Sequence, residues 1–450
     1  MKGSMRRVVF AGVFVIGLCC AQSVGLAGSA VSNDQLADEI RELKKTVQQQ
    51  QRRISELEQR VAQQESVARS TGEVMPVSEI DRRIDERLSS KAPAYQLMEG
   101  LALSAGATTV VQGAHHANGA SQLSSGEDVF DASVSADITL EKKFEEYGEG
   151  VVYLTSGQGA GVEDELQLYS NVNNDADNDQ NARLAEVWYE HYIHSISGAV
   201  AFGKLDATNY IDTNAYANDE TTQFLGRMFR NSPVIEFPSN GAGVHFGASP
   251  LDFFDVNLVA LDADADWEDV FDGLFVAGQL TFKPRLFARE GKYRILVWNN
   301  GANHTQWTDA GKDKENNYGW GLSFDQELND VVGVFMRYGW QDPKVYANGS
   351  AFSIEHSWSV GPQIKGSLWG RPDDCLGLSF GQITPSGKYK TTSGVLAKTE
   401  SHFEGYYNFK VNDHLCLSPD LQVIWRPYGK DAANGDGTIV VAGMRGQMDF

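Results

Sequence analysis

From residue 97 onward the chain alternates apolar and polar positions in runs of about ten residues, with a period of two. Tyr318, Trp320, Leu322 and Phe324 oppose Gly319, Gly321, Ser323 and Asp325, and Val332, Val334, Met336, Tyr338 and Trp340 oppose Arg337 and Gln341. The final run sets Val440, Ala442, Met444, Gly446, Met448 and Phe450 against Arg445, Gln447 and Asp449. Successive side chains of a β-strand point to opposite faces, so each run predicts a strand with one apolar and one polar face. Another run sets Phe403, Tyr407, Phe409 and Val411 against His402, Glu404, Tyr406, Asn408 and Lys410, and there the pattern does not say which face points outward. Sixteen strands are predicted, starting near residues 97, 131, 147, 185, 197, 242, 252, 274, 292, 318, 331, 353, 375, 401, 414 and 438.

The period is different upstream. Leu36, Ile40, Leu43, Val47, Gln50, Ile54, Leu57 and Val61 are spaced alternately by four and three. That is a heptad repeat with β-branched residues at a and Leu at d, broken by one polar d position at Gln50. It predicts a coiled-coil helix about 39 Å long at 1.5 Å per residue. Peptides with this a/d choice favour two strands. A polar linker follows, and Ser78 caps a short helix with Ile80, Ile84 and Leu88 on one face, ending before Pro93.

Two features place the strands in a membrane. Lys2, Arg6 and Arg7 precede an apolar run from Val8 to Cys20, and small residues near Ala27 and Ala30 offer cleavage sites, which together form a secretory signal peptide. Predicted connections also alternate in length: long ones such as 156–184, 204–241, 300–317 and 383–399 follow odd strands, and tight ones such as Leu328-Asn329-Asp330 follow even strands. Long loops on one rim and short turns on the other are the architecture of bacterial outer-membrane barrels. No later segment approaches the ~18 to 20 continuous apolar residues of a spanning helix. The expected fold is therefore all-β, a 16-stranded antiparallel transmembrane β-barrel preceded by a periplasmic α-helical coiled coil. Its expected parts are a signal peptide (1–30), a coiled-coil oligomerisation helix (31–66), a linker with a short helix (67–94) and the outer-membrane barrel (95–450). Sixteen strands enclose an aqueous channel that side chains alone cannot fill.

Charge narrows the function. The chain has 60 acidic and 38 basic residues, a net charge of −22. Residues 95–450 hold 48 acidic against 24 basic residues, so nucleic acid is an unsuitable partner and neutral solutes or cations suit the channel better than anions. An enzyme is not expected: His191 and His194 fall on opposite faces of a strand, and no Ser near His402 and Glu404 completes a relay in the sequence. No cofactor is implied. Asp175, Asp177, Asp179 and Glu186 match the oxygen spacing of a calcium loop at positions 1, 3, 5 and 12, but Gln180 replaces the glycine of position 6; a solvated outer loop is the competing reading. Asp262, Asp264, Asp266, Glu268 and Asp269 form a second acidic loop. Cys375 and Cys416 are expected on strands that are not neighbours, too far apart for a disulfide.

The stretch richest in sugar-binding chemistry runs from Gly203-Lys204-Leu205-Asp206 through Asn209-Tyr210, Asp212, Asn214, Tyr216, Asn218-Asp219-Glu220 and Gln223-Phe224-Leu225 to Asn231-Ser232-Pro233 and Glu236-Phe237-Pro238. Carboxylates and amides can replace the water on sugar hydroxyls, and aromatic faces cover apolar ring surface. Turn-rich polar residues that satisfy their own backbone are the competing account. With Gly321-Leu322-Ser323-Phe324-Asp325-Gln326-Glu327, Arg337-Tyr338-Gly339-Trp340, Glu404-Gly405-Tyr406-Tyr407, Ser418-Pro419-Asp420 and the terminal Gly443-Met444-Arg445, this stretch resembles the carbohydrate-selective porins of the OprB type, over nearly all of residues 97–450. The resemblance implies passive diffusion of small neutral sugars through a pore narrowed by the inward-folded loop from Asp206 to Asn240. The expected contacts there are Asp206, Asn209, Tyr210, Asp212, Asn214, Tyr216, Asp219, Glu220, Phe224, Arg227 and Arg230. Outer-membrane lipid and lipopolysaccharide, the barrel-assembly machinery recognising the last strand at Phe450, and a homotrimer are the implied partners. A general or cation-preferring porin, or a barrel tethering the outer membrane to the cell wall, are the alternatives.

Overall fold

In a computed structural model of the chain, the described residues are 100–119, 127–286, 288–432 and 435–450. The expected signal peptide, heptad helix and short helix lie outside them. The barrel strands are β1 (Leu101–His115), β2 (Val129–Phe144), β3 (Gly148–Gln158), β4 (Arg183–Ile193), β5 (Gly198–Leu205), β6 (Gly241–Leu251), β7 (Phe254–Asp262), β8 (Leu274–Phe282), β9 (Arg289–Gln306), β10 (Glu315–Glu327), β11 (Val332–Gln341), β12 (Ile354–Lys365), β13 (Cys375–Pro385), β14 (Glu400–Asn412), β15 (Leu415–Trp425) and β16 (Ile439–Asp449). Two short strands, Arg285–Leu286 and Val345–Ala347, pair with the ends of β9. The sixteen barrel strands pair antiparallel, each with the next in chain order, and β16 closes on β1 from Gly106↔Asp449 to His115↔Val440. The result is the closed 16-strand barrel expected from the alternation.

Closure removes every sheet edge, which is what makes strands viable across a bilayer. The two faces then sort by solvent. On β10, Tyr318 and Trp320 face out while Ser323 and Asp325 are buried; on β11, Met336 faces out while Arg337 is only 1% exposed. The ambiguous strand β14 resolves the same way: His402, Glu404 and Tyr406 point inward. Cys375 and Cys416 lie on strands either side of β14, free and half-buried, as their spacing implied.

Apolar residues also meet inside, but they do so where connections turn inward. Phe224, Met228, Phe229 and Val234, all from the β5–β6 connection, cluster with Phe335 of β11 and Tyr406 of β14. Glycines on the wall make room for this segment. A Cβ at Gly333 would stand 2.0 Å from Cζ of Tyr216, and one at Gly339 would stand 2.2 Å from Cγ2 of Val234.

Candidate functional site

The segment 206–240 leaves β5, and its own polar residues set its first bends. Asp206 caps a short turn by accepting from the backbone N–H of Thr208 at 2.8 Å, and Asn209 donates to Glu186 of β4 at 3.1 Å. Tyr210 stacks on His245 of β6, with ring centres 3.8 Å apart. The N–H of Asp212 then donates to Gln279 of β8 at 2.8 Å.

Arg337 is the centre of the anchoring. Its Nε donates to Oδ1 of Asp212 at 3.1 Å, and its terminal nitrogens donate to the carbonyls of Asp212 (2.9 Å), Ala217 (2.7 Å) and Phe229 (2.6 Å). Oδ2 of Asp212 accepts from the N–H of Ser232 at 2.7 Å, so one buried carboxylate joins both limbs of the segment. Such a buried charge is tolerable only when it is paired and hydrogen-bonded, and here four of the five guanidinium protons of Arg337 and both carboxylate oxygens of Asp212 have partners.

Further along, Asn214 donates to the carbonyl of Phe324 at 3.1 Å, and Tyr216 lies over Gly333. Asp219 turns back to accept from Thr221 N–H at 2.8 Å. Glu220 pairs with Arg230 and accepts from Asn174 at 3.2 Å. At the far wall Glu404 of β14 accepts from the N–H groups of Leu225 (2.5 Å) and Gly226 (2.9 Å), while Arg445 of β16 donates to the carbonyls of Glu220 (2.7 Å) and Gln223 (2.8 Å). The segment is thus bonded to inward side chains from β4 round to β16.

The expected contact residues divide by accessibility. Asp212, Asn214 and Phe224 are buried, the first two in hydrogen bonds and Phe224 edge-on to Tyr406 at 4.9 Å. Asp206, Tyr210, Tyr216, Asp219, Glu220 and Arg230 are half-buried, and Asn209 and Arg227 are exposed. Arg227 donates its backbone N–H to Asn171 at 2.5 Å, yet its guanidinium has no partner among the described residues. Burial pushes the pKa of Glu220 up, and Arg230 opposes that shift.

A second connection, 159–182, also reaches the inner wall, and the sequence reading missed it. Glu400 of β14 accepts from the N–H groups of Tyr169 (3.0 Å) and Ser170 (2.9 Å), and Gln422 of β15 donates to the carbonyl of Val172 at 2.8 Å. Asp175 accepts from Ser135 of β2 at 3.0 Å. The calcium reading of this stretch finds no common centre. Arg183 pairs with Asp177 and sits near Asp179, and Glu186 accepts from Trp188 and Asn209. A cation already neutralises part of the set, and its remaining carboxylates point to different partners. The pairing of inward His402 and Glu404 was the available clue that something must satisfy that wall.

The pKa of Asp175 is pushed up to about 7, first by burial and then by the charges of Glu220 and Asp137. Glu163, in the same connection, is pushed up to about 7 by burial, against the N–H groups of Val172 and Asn173.

Comparison with known proteins accords with this architecture. The profile of the "Carbohydrate-selective porin, OprB family" matches residues 97–450. Porin AaxA of Chlamydia caviae is 23% identical over 237 residues, covering 51% of this chain and 49% of that protein, so the chain spans about half the length of that relative. A structure of Pseudomonas putida OprB at high pH superposes with a TM-score of 0.65 at 17% identity, covering 81% of this chain and 97% of that one. The outer-membrane channel DcaP of Acinetobacter baumannii superposes with a TM-score of 0.50 at 10% identity, over 78% and 98%. These two superpositions concern the fold, and the family follows from the profile match across the whole barrel. The chain belongs to the OprB family of carbohydrate-selective porins.

Proposed function

We propose that this porin passes small neutral sugars by passive diffusion through a pore narrowed by segment 206–240. The observation that carries the reading is the anchoring of that segment through Arg337, Glu404 and Arg445, which leaves Asn209 and Arg227 accessible to water. Asp212, Asn214 and Phe224 hold the narrowing in place, while Asn209, Arg227 and the half-buried Asp206, Asp219, Glu220 and Arg230 supply exchangeable hydrogen bonds. Tyr210 and Tyr216 offer ring faces. Each bond to a sugar hydroxyl is worth about 0.5 to 1.5 kcal/mol net, because water held the same groups before. That weakness suits transport, since tight binding blocks flow.

Liposome swelling with a monosaccharide, a zwitterionic amino acid of similar size and a small organic anion tests the reading. The parent should admit the sugar fastest, and Arg227→Ala should reduce that advantage while leaving the barrel folded. Equal rates for all three solutes through the parent defeat sugar selectivity. Residues 31–66 are proposed to form a periplasmic coiled coil holding a homotrimer. Ile54→Lys, which buries an unpaired charge at an a position, should lower the mass of the isolated segment by ultracentrifugation. An unchanged mass counts against that assignment.

A further inference from the structure

On the outside of the barrel, where β13, β14 and β15 meet the β15–β16 connection, lies a cleft of about 550 Å³. Its floor is aromatic. Phe380 and Trp425 stand 6.1 Å apart, and Trp358 continues the surface at 5.6 Å from Phe380. Trp425 is 39% exposed on the face that the alternation assigns to lipid. Its upper lip carries two cations, Arg426 and Lys430, and one carboxylate, Asp436. Arg426 donates to Ser401 Oγ at 3.3 Å, which leaves the rest of its guanidinium free among the described residues, and Lys430 reaches Asp436 at 3.1 Å.

The long connections mark this rim as the extracellular one. The cleft therefore sits where acyl chains give way to headgroups. Two cations above an aromatic floor contrast with the net charge of −22 of the whole chain. Sugar transport inside the barrel gives no reason for them on its outer side.

We infer that this cleft binds the phosphorylated glycolipid of the outer leaflet, lipid A. A phosphate lies between Arg426 and Lys430, and an acyl chain lies along Phe380 and Trp425. A guanidinium offers paired donors to phosphate oxygens, and Lys430 adds a point charge once it exchanges Asp436 for the stronger anion. Aromatic rings at the membrane interface suit the boundary between chain and headgroup.

The test is native mass spectrometry of the full-length protein titrated with lipid A in detergent. Diphosphoryl lipid A should bind better than its dephosphorylated form, and inorganic phosphate should not displace it. Each neutralised cation should weaken binding roughly fivefold, so Arg426→Gln with Lys430→Gln should lose about 25-fold. Asp436→Asn should shift affinity the other way by freeing Lys430, which gives a result even if the double variant folds poorly. Sugar permeation should be the same in all of these variants. Unchanged affinity in the double variant, equal binding of the dephosphorylated lipid, or displacement by phosphate alone each overturns the assignment.

Discussion

At the scale of single residues, the inner wall holds the connection 206–240 through a small number of buried charges. Arg337 is the one whose loss should matter most, because its four contacts tie carbonyls at both ends of the segment to β11. Arg337→Leu leaves the Asp212 carboxylate buried without its cation and should cost about 3 to 5 kcal/mol in a denaturant titration. Adding Asp212→Asn should recover part of that loss, and an equal cost in both backgrounds would mean that the pair does not act as a unit. Asp175 and Glu163 give a second residue-scale expectation. Their folded-state values of about 7 lie above the ordinary carboxylate range, so the folded form binds more protons than the unfolded one between about pH 4 and 7. Their contribution is complete in acid and is lost as pH rises through about 7. Protection factors in 159–182, taken against the hydroxide-catalysed intrinsic exchange rate, should therefore fall between pH 5 and pH 8, and Asp175→Asn should flatten that fall. A fall of the same size in the variant would exclude Asp175 as its source.

At the scale of elements, strands were legible and inward connections were only half so. A strand such as β11 announces itself because Val334, Met336 and Tyr338 must suit lipid while Arg337 must suit the interior, and that demand writes a period of two into the sequence. The starts of β8 and β13 fall at the residues expected, Leu274 and Cys375. Connections carry no such period. Asn, Asp and Gly favour turns whether they lie in water or against a wall, so Asp175-Ala176-Asp177-Asn178-Asp179 read as a solvated or ion-binding loop. The roles of Glu400 and Gln422 in holding 159–182 were invisible for a related reason: the backbone N–H and carbonyl groups that they hold there lie more than two hundred residues away. The contact residues of 206–240 were found as a stretch, but exposure could not be read, so buried Asp212 and exposed Arg227 looked alike. The wall glycines offer a test of the docking. Gly333→Ala places a methyl against Tyr216 and should cost about 1 to 3 kcal/mol, and Tyr216→Ala should remove most of that penalty. A penalty that persists without Tyr216 would place the strain in the strand itself.

At the scale of the whole molecule, the barrel inverts an ordinary globule: its widest apolar surface is outside, and its polar groups satisfy one another within. Residues 95–450 carry 48 acidic and 24 basic residues, and a lumen bounded by low-dielectric walls focuses the resulting field. The unpaired guanidinium of Arg227 opposes that field locally. A single cation cannot reverse the sign of a surplus distributed along the whole barrel, but it can weaken it at one depth. Planar-bilayer recordings across a salt gradient should accordingly give a reversal potential of cation-selective sign. The preference should be largest at low ionic strength and should shrink as the screening length falls to about 3 Å near 1 M salt. Arg227→Gln should enlarge it, because the opposing charge is gone while the acidic surplus stays. A reversal potential of anion-selective sign in the parent would mean that a few basic groups at the narrowing outweigh the acidic total. Selectivity would then be set locally by Arg227 and Arg230 rather than by the barrel as a whole.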